Sequence, residues 1–393
     1  MDTLTTVRPR YGTGSLADVV PSALAVLDVP GAVDRLGLRA QLDGVRRVAV
    51  LLVDGLGYHL LPLAAPHAPV LDDLAAGRLG PPGRALTSGF PSTTPTSLVS
   101  LGTGASPGVH GVLGFHVRVP GTDRVLNHTL WDDDPDPLRW QPLDTQFDRA
   151  VAAGLGVSVV NRPEFAGSGL SRAAYRGGAA RGAVGAAEIA AQMLGALAES
   201  ALVYGYHADL DRTGHLCGVD SDAWRAAVSD VDELLAALVD GLPADAALLV
   251  TADHGQLDVP AERRFDLDAD PRLRAGVRVV AGEPRVRYLH TQPGAVDDVI
   301  AAWRGILGGA AWVAPREEAV AAGWFGPVPE AHLQRVGDVV VACHDRYAVV
   351  ASDTQPLIES RLIAYHGSYT AVEMEIPLLV VRGDGSGNVS GQG

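Results

Sequence analysis

Val48-Ala49-Val50-Leu51-Leu52-Val53 runs directly into Asp54-Gly55-Leu56-Gly57. An apolar run of this length without polar alternation is the pattern of a parallel strand buried on both faces. Comparable runs occupy residues 156–160, 201–206, 246–251 and 376–381. Helical stretches separate them, notably 187–199 and 222–240. The second carries Ala226, Val228, Val231, Leu234, Leu235 and Leu238 at helical spacing. This alternation predicts an α/β fold on a doubly wound, mostly parallel sheet.

The stretch 260–360 reads differently. Short strand candidates lie at 277–280, 286–290, 338–343 and 347–352, and His344-Asp345-Arg346 between the last two has the form of a hairpin turn. The core pattern resumes afterwards. The expectation is therefore a catalytic core of residues 1–259 and 361–393, with a smaller α+β cap inserted at 260–360. The glycine- and serine-rich tail 383–393 is expected to be disordered.

With 393 residues, 47% hydrophobic and 20% charged, the chain has a globular balance and enough length for a sizeable core. A net charge of -15 opposes the nucleic-acid backbone and anionic membrane surfaces, so neither duplex nucleic acid nor membrane is an expected partner. An anionic phosphate substrate would need local positive charge, which bound metal ions supply. Cys217 and Cys343 make no disulfide framework. Residues 1–10 lead into no apolar segment of the secretory kind, and no run of eighteen apolar residues occurs, so a cytoplasmic location is expected.

Five segments concentrate the polar residues that carry chemistry. Asp54, at a strand end before glycines, suits a metal ligand on a tight turn. In Phe90-Pro91-Ser92-Thr93-Thr94-Pro95, proline suits the first turn of a helix, which would leave Thr94 at the N-cap. An alcohol there becomes a nucleophile if a metal lowers its pKa, and the free N–H groups can hold phosphate oxygens. Asp211 and His215 stand four apart, so a helical turn puts both on one face to grip one metal; Asp209 competes for that role. Asp253-His254-Gly255 and His366-Gly367 complete the set. Together these residues offer nitrogen and oxygen donors enough for two metal sites.

The ordered set resembles the alkaline phosphatase superfamily, and within it the nucleotide pyrophosphatase/phosphodiesterase branch. The resemblance rests on Val50-Leu51-Leu52-Val53-Asp54-Gly55, Phe90-Pro91 before Thr94, Thr103-Gly104, His110-Gly111, Asp211 to His215 with Gly218, Asp253-His254-Gly255, and His366-Gly367. It implies an alkaline phosphatase-like fold and two divalent metal ions, usually zinc, with manganese or iron open on the donor set. Asp54, Thr94, Asp253 and His254 would surround one ion; Asp211, His215 and His366 would hold the other. Thr94 would be the nucleophile, through a covalent phosphothreonine. Thr93 stays open, because some members place proline two residues after the nucleophile, as Pro95 stands to Thr93.

The family's phosphate-binding Asn after His-Gly is replaced here by Phe115-His116, and Asn127 is the substitute in reach. The implied substrate is a small phosphate ester: a phosphodiester or nucleotide pyrophosphate first, a phosphomonoester or phosphonate second. A non-catalytic binding protein on the same fold is the reading from another class. Arg287, Tyr288 and His290 are candidates to line the cap side of the site.

Overall fold

A computed structural model describes residues 3–384; the remainder of the tail expectation lies outside the described residues. A seven-stranded sheet organises the molecule. Its order is Arg84–Thr87, Glu375–Arg382, Ala246–Thr251, Arg47–Val53, Leu202–His207, Val157–Asn161 and Ala179–Gly182. All neighbours pair in parallel except at Glu375–Arg382, which is antiparallel to both of its own. The Leu202–His207 and Ala246–Thr251 strands are buried at every residue, which the unbroken apolar runs required. The Ala179–Gly182 edge is largely exposed and carries no apolar run, so nothing in its composition announced it.

The Asp222–Asp240 helix is capped by the Ser221 hydroxyl, which accepts from Trp224 N at 3.2 Å. Its buried face uses Trp224 and Ala227 besides the Val and Leu residues, and turns Ala226 outward. Helix Gly185–Leu197 packs between it and the Leu202–His207 strand.

A second sheet is antiparallel, in the order Val277–Glu283, Val286–Thr291, Val339–Cys343, Ala311–Pro315. Helix Val296–Leu307 packs against it, and Leu289, Val299, Trp303 and Val341 belong to an apolar cluster of its own. The hairpin expected around His344-Asp345-Arg346 does not form. Val339–Cys343 already has a partner on each edge, so no edge is left for the next strand. Ala348–Val350 crosses instead to pair in parallel with Arg264–Asp266. Among the described residues no helix is long and apolar enough to cross a membrane.

Arg287, Tyr288 and His290 are structural, not cavity-lining. Arg287 Nε donates to Val349 O at 2.9 Å and Tyr288 Oη to Leu113 O at 2.7 Å. His290 is 1% exposed, and neither ring nitrogen has a hydrogen-bond partner. Burial, then the Arg118 guanidinium, holds its imidazole down at about 4. The unfolded chain takes up that proton near pH 6.5, the folded chain near 4, so stability is lost as pH falls through this window. Between pH 7 and 4.5 His290 should cost the fold about 2–3 kcal/mol. In urea unfolding at both pH values, His290→Leu should shrink the pH-dependent loss by that amount. An unchanged difference would refute the assignment.

Candidate metal centre

The polar segments converge because the parallel strands all deliver their C-terminal ends to one edge. Asp54 directly follows Arg47–Val53, and Asp253-His254 stands just past the neighbouring Ala246–Thr251. Helix Asp209–Cys217, on the other side, begins just after Leu202–His207. His366 follows the short strand Ala364–Tyr365. The glycines make this convergence possible. Gly55 has φ +76°, and a Cβ on Gly57 would meet Gly255 Cα at 2.6 Å, so the two ligand-bearing turns touch backbone to backbone.

All seven candidate ligands come together. His254 Nε2 lies 3.2 Å from Thr94 Oγ1, 3.2 Å from Asp253 Oδ2 and 3.5 Å from Asp54 Oδ1. His215 Nε2 lies 3.3 Å from Asp211 Oδ2 and 3.2 Å from His366 Nε2, and the His254 and His366 rings stack at 3.5 Å between centroids. Donor atoms of Asp54, Asp253 and His254 fall within 4.8 Å of one another, and so do those of Asp211, His254 and His366. Asp209 is drawn away into an ion pair with Arg162.

Two observations fit this set to metal ions. Each histidine commits Nδ1 to a backbone carbonyl: His215 to Ala364 at 2.8 Å, His366 to Ser92 at 2.9 Å, His254 to Gly255 at 3.2 Å. That fixes the ring and leaves each Nε2 turned to the centre as a metal donor. The carboxylates, meanwhile, lack compensation. Asp54 Oδ1 and Asp253 Oδ2 are buried without a hydrogen-bond partner. Burial, then the charges of Asp253 and Asp211, pushes the Asp54 carboxyl well above its usual range. Burial also raises Asp253, against the pull of His254. At Asp211 burial is outweighed by His215, then His366 and His254, and the carboxyl falls below its usual range. Burial and then His254 hold His366 far below an ordinary imidazole. Divalent cations would relieve crowded buried acids and use neutral imidazoles.

The helix starts one residue earlier than expected. Thr93, with φ -136° and ψ 149°, is the N-cap of Thr94–Thr103, so Thr94 takes the first helical position and Pro95 the second. Both fit proline's fixed φ, and composition could not choose between them. Thr94 keeps contact with the cavity, while Thr93 is fully buried. Asn127 is not among the residues that line it. Its Oδ1 accepts from Thr129 N, Thr129 Oγ1 and Leu130 N, so its amide serves as the cap of a turn.

Other residues at the centre escaped the sequence reading. Tyr206 Oη donates to Asp54 Oδ2, and Gln256 Nε2 donates to Asp211 O at 3.0 Å. Gln256 directly follows Asp253-His254-Gly255, and that adjacency to a metal-ligand motif is the sequence signal for it. The cavity in front of the cluster holds about 710 Å³ and adds Phe115, Glu283 and Glu359 to its walls. A second cavity of about 360 Å³, at the sheet edge, displays Arg162, Arg172, Arg176 and Arg181, each already paired with a carboxylate.

No curated protein matches the chain in sequence. Solved structures do match in fold. Murine ectonucleotide pyrophosphatase / phosphodiesterase 5 is 19% identical with a TM-score of 0.68, covering 85% of this chain and 88% of its own. An inactive variant of the same murine protein was solved in complex with AMP; it is 19% identical, with a TM-score of 0.66 over 86% of this chain and 88% of its own. Phosphonoacetate hydrolase from Sinorhizobium meliloti 1021, solved with phosphonoformate, is 20% identical with a TM-score of 0.66, covering 86% of this chain and 90% of its own. The family described as type I phosphodiesterase / nucleotide pyrophosphatase matches over residues 48–369. Most of the chain, from the strand before Asp54 to the residues just past His366, therefore places this protein in the type I phosphodiesterase / nucleotide pyrophosphatase family.

Proposed function

We propose that the protein is a two-metal phosphohydrolase that cleaves phosphodiester or nucleotide pyrophosphate bonds through a phosphothreonine at Thr94. The observation that carries this is the cluster itself: three imidazoles fixed through Nδ1, with Nε2 atoms converging on uncompensated carboxylates beside a threonine hydroxyl. Asp54, Thr94, Asp253 and His254 would hold one ion, and Asp211, His215 and His366 the other, zinc being the first choice for this donor set. Bound there, the ions supply positive charge for phosphate oxygens and a depressed pKa for the threonine alcohol.

The residues of the chain do the rest. Thr94 Oγ1 attacks phosphorus in line, the ester bond to the leaving group breaks, and the leaving oxygen departs with a proton. Water then attacks the phosphothreonine and frees Thr94. The first turn of Thr94–Thr103 adds the partial positive charge of its N–H groups beside the phosphate. Segment 260–360 acts as a cap whose Glu283 and Glu359 shape the substrate side. Both cysteines are free, as a reducing cytoplasm would keep them.

Bis-p-nitrophenyl phosphate, p-nitrophenyl phosphate and a dinucleotide, each with added zinc or manganese, test the reading. The diesters should turn over best; a monoester or phosphonate preference would move the protein to the second reading, which the equally similar fold of phosphonoacetate hydrolase keeps in view. Shared coordination has its own test. Asp211→Ala and His366→Ala should each leave about one of two metal equivalents by elemental analysis, and a drop in only one variant would separate the two residues.

A further inference from the structure

Part of the cavity wall outside the metal cluster is acidic. Glu283 and Glu359 both line the cavity, beside the rings of Phe115 and Tyr365. Glu283 is 5% exposed, and its Oε1 has no hydrogen-bond partner. Burial lifts the carboxyl to about 8, against the opposing pull of the Thr93 hydroxyl and the Arg287 charge. Glu359 faces His116 Nε2 at 3.8 Å, but burial and then Arg287 keep that imidazole neutral, down at about 4. Arg287 lies behind this wall; its Nε donates to Val349 O and its Nη1 to Gln355 Oε1, its Nη2 has no hydrogen-bond partner, and it bonds to neither glutamate. The chain has no lysine, and Arg212 is the one cationic side chain on the cavity lining among the described residues. Two acids thus share one buried guanidinium that hydrogen-bonds to neither.

We propose that Glu283 and Glu359 form a subsite for a substituent carrying an amine or ammonium, making the preferred substrate a phosphodiester of an amino alcohol. This rests on the phosphodiesterase reading and narrows it, because the further phosphates of a nucleotide pyrophosphate would meet two acids. An ammonium there would supply the donors that Glu283 Oε1 lacks and would lie against the aromatic rings, which attract cations.

Three p-nitrophenyl diesters of similar size test this: 2-aminoethyl, n-propyl and 2-carboxyethyl. In kcat/KM the aminoethyl diester should exceed the propyl diester by about ten-fold and the carboxyethyl diester by more. Glu283→Gln and Glu359→Gln should each cut the ratio of aminoethyl to propyl kcat/KM several-fold. Equal rates on all three, or a preference that survives both substitutions, would overturn the proposal. Binding separates it from the parent reading. With Thr94→Ala protein, calorimetry should show 2-aminoethyl phosphate binding about ten-fold tighter than propyl phosphate, whether or not any diester is hydrolysed. Tighter aminoethyl binding without turnover would sink the hydrolase and keep the subsite; turnover without charge preference would do the reverse.

Discussion

Thr94→Ala is expected to abolish turnover while Thr93→Ala keeps most of it. Thr94 Oγ1 stands 3.2 Å from His254 Nε2 and opens onto the cavity, whereas Thr93 is fully buried at the helix cap. Loss of a covalent nucleophile should lower kcat by about ten-thousand-fold, some 5–6 kcal/mol of barrier. Loss of the neighbouring hydroxyl should cost about 1 kcal/mol, roughly five-fold. Both variants should fold and hold metal, since aspartates and histidines supply the other donors. Steady-state kinetics and acid-quench trapping, with the phosphopeptide located by mass spectrometry, check this. Phosphate on Thr93, or near-full activity of Thr94→Ala, would displace the nucleophile by one residue.

Arg285→Met is expected to be the most destabilising single change away from the centre. Arg285 and Glu373 are fully buried and paired in two bonds, Nε to Oε1 at 2.9 Å and Nη2 to Oε2 at 2.7 Å. Burial alone would lower the Arg285 pKa, but the Glu373 charge outweighs it. Arg285 comes from the loop between two strands of the second sheet, and Glu373 from the short helix Ala371–Met374 that leads into the last strand of the main sheet. Removing the guanidinium strands a buried carboxylate, at a cost of about 3–5 kcal/mol. Glu373 Oε1 also accepts from Ser368 N at 3.0 Å, two residues past His366, so the damage should reach the metal centre. Urea unfolding should show the loss, elemental analysis should show reduced metal retention, and Arg285→Met with Glu373→Gln should recover part of the stability. A single variant within about 1 kcal/mol of the parent would mean the pair is replaceable.

The five inner strands of the main sheet were legible because they are buried on both faces and must therefore be largely apolar. Val48 to Val53 and Ala246 to Thr251 could hardly be anything else. The candidate ligand residues were legible for a related reason: parallel strands end together, so an acid or histidine just past each apolar run is brought to one place whatever the loops do. Asp54, Asp211 and Asp253 needed only their positions along the chain.

Tertiary structure alone decided the rest. Which edge a strand pairs on depends on edges already taken, so the hairpin after Cys343 could not be refused from its own residues. Asn127, Arg287 and His290 have side chains fit for a substrate wall, yet neighbours distant in the chain or backbone groups just beyond claimed or enclosed them. Glu283 is the converse. It lies in an ordinary strand end, and only the fold brings it to the cavity wall behind Thr93 and Gly367, where burial makes an uncompensated acid of it. Local pattern determines which segments are buried and where chemistry can gather, because burial follows composition. Hydrogen-bond partnership and desolvation depend on what else arrives, and that is settled only when the chain has folded.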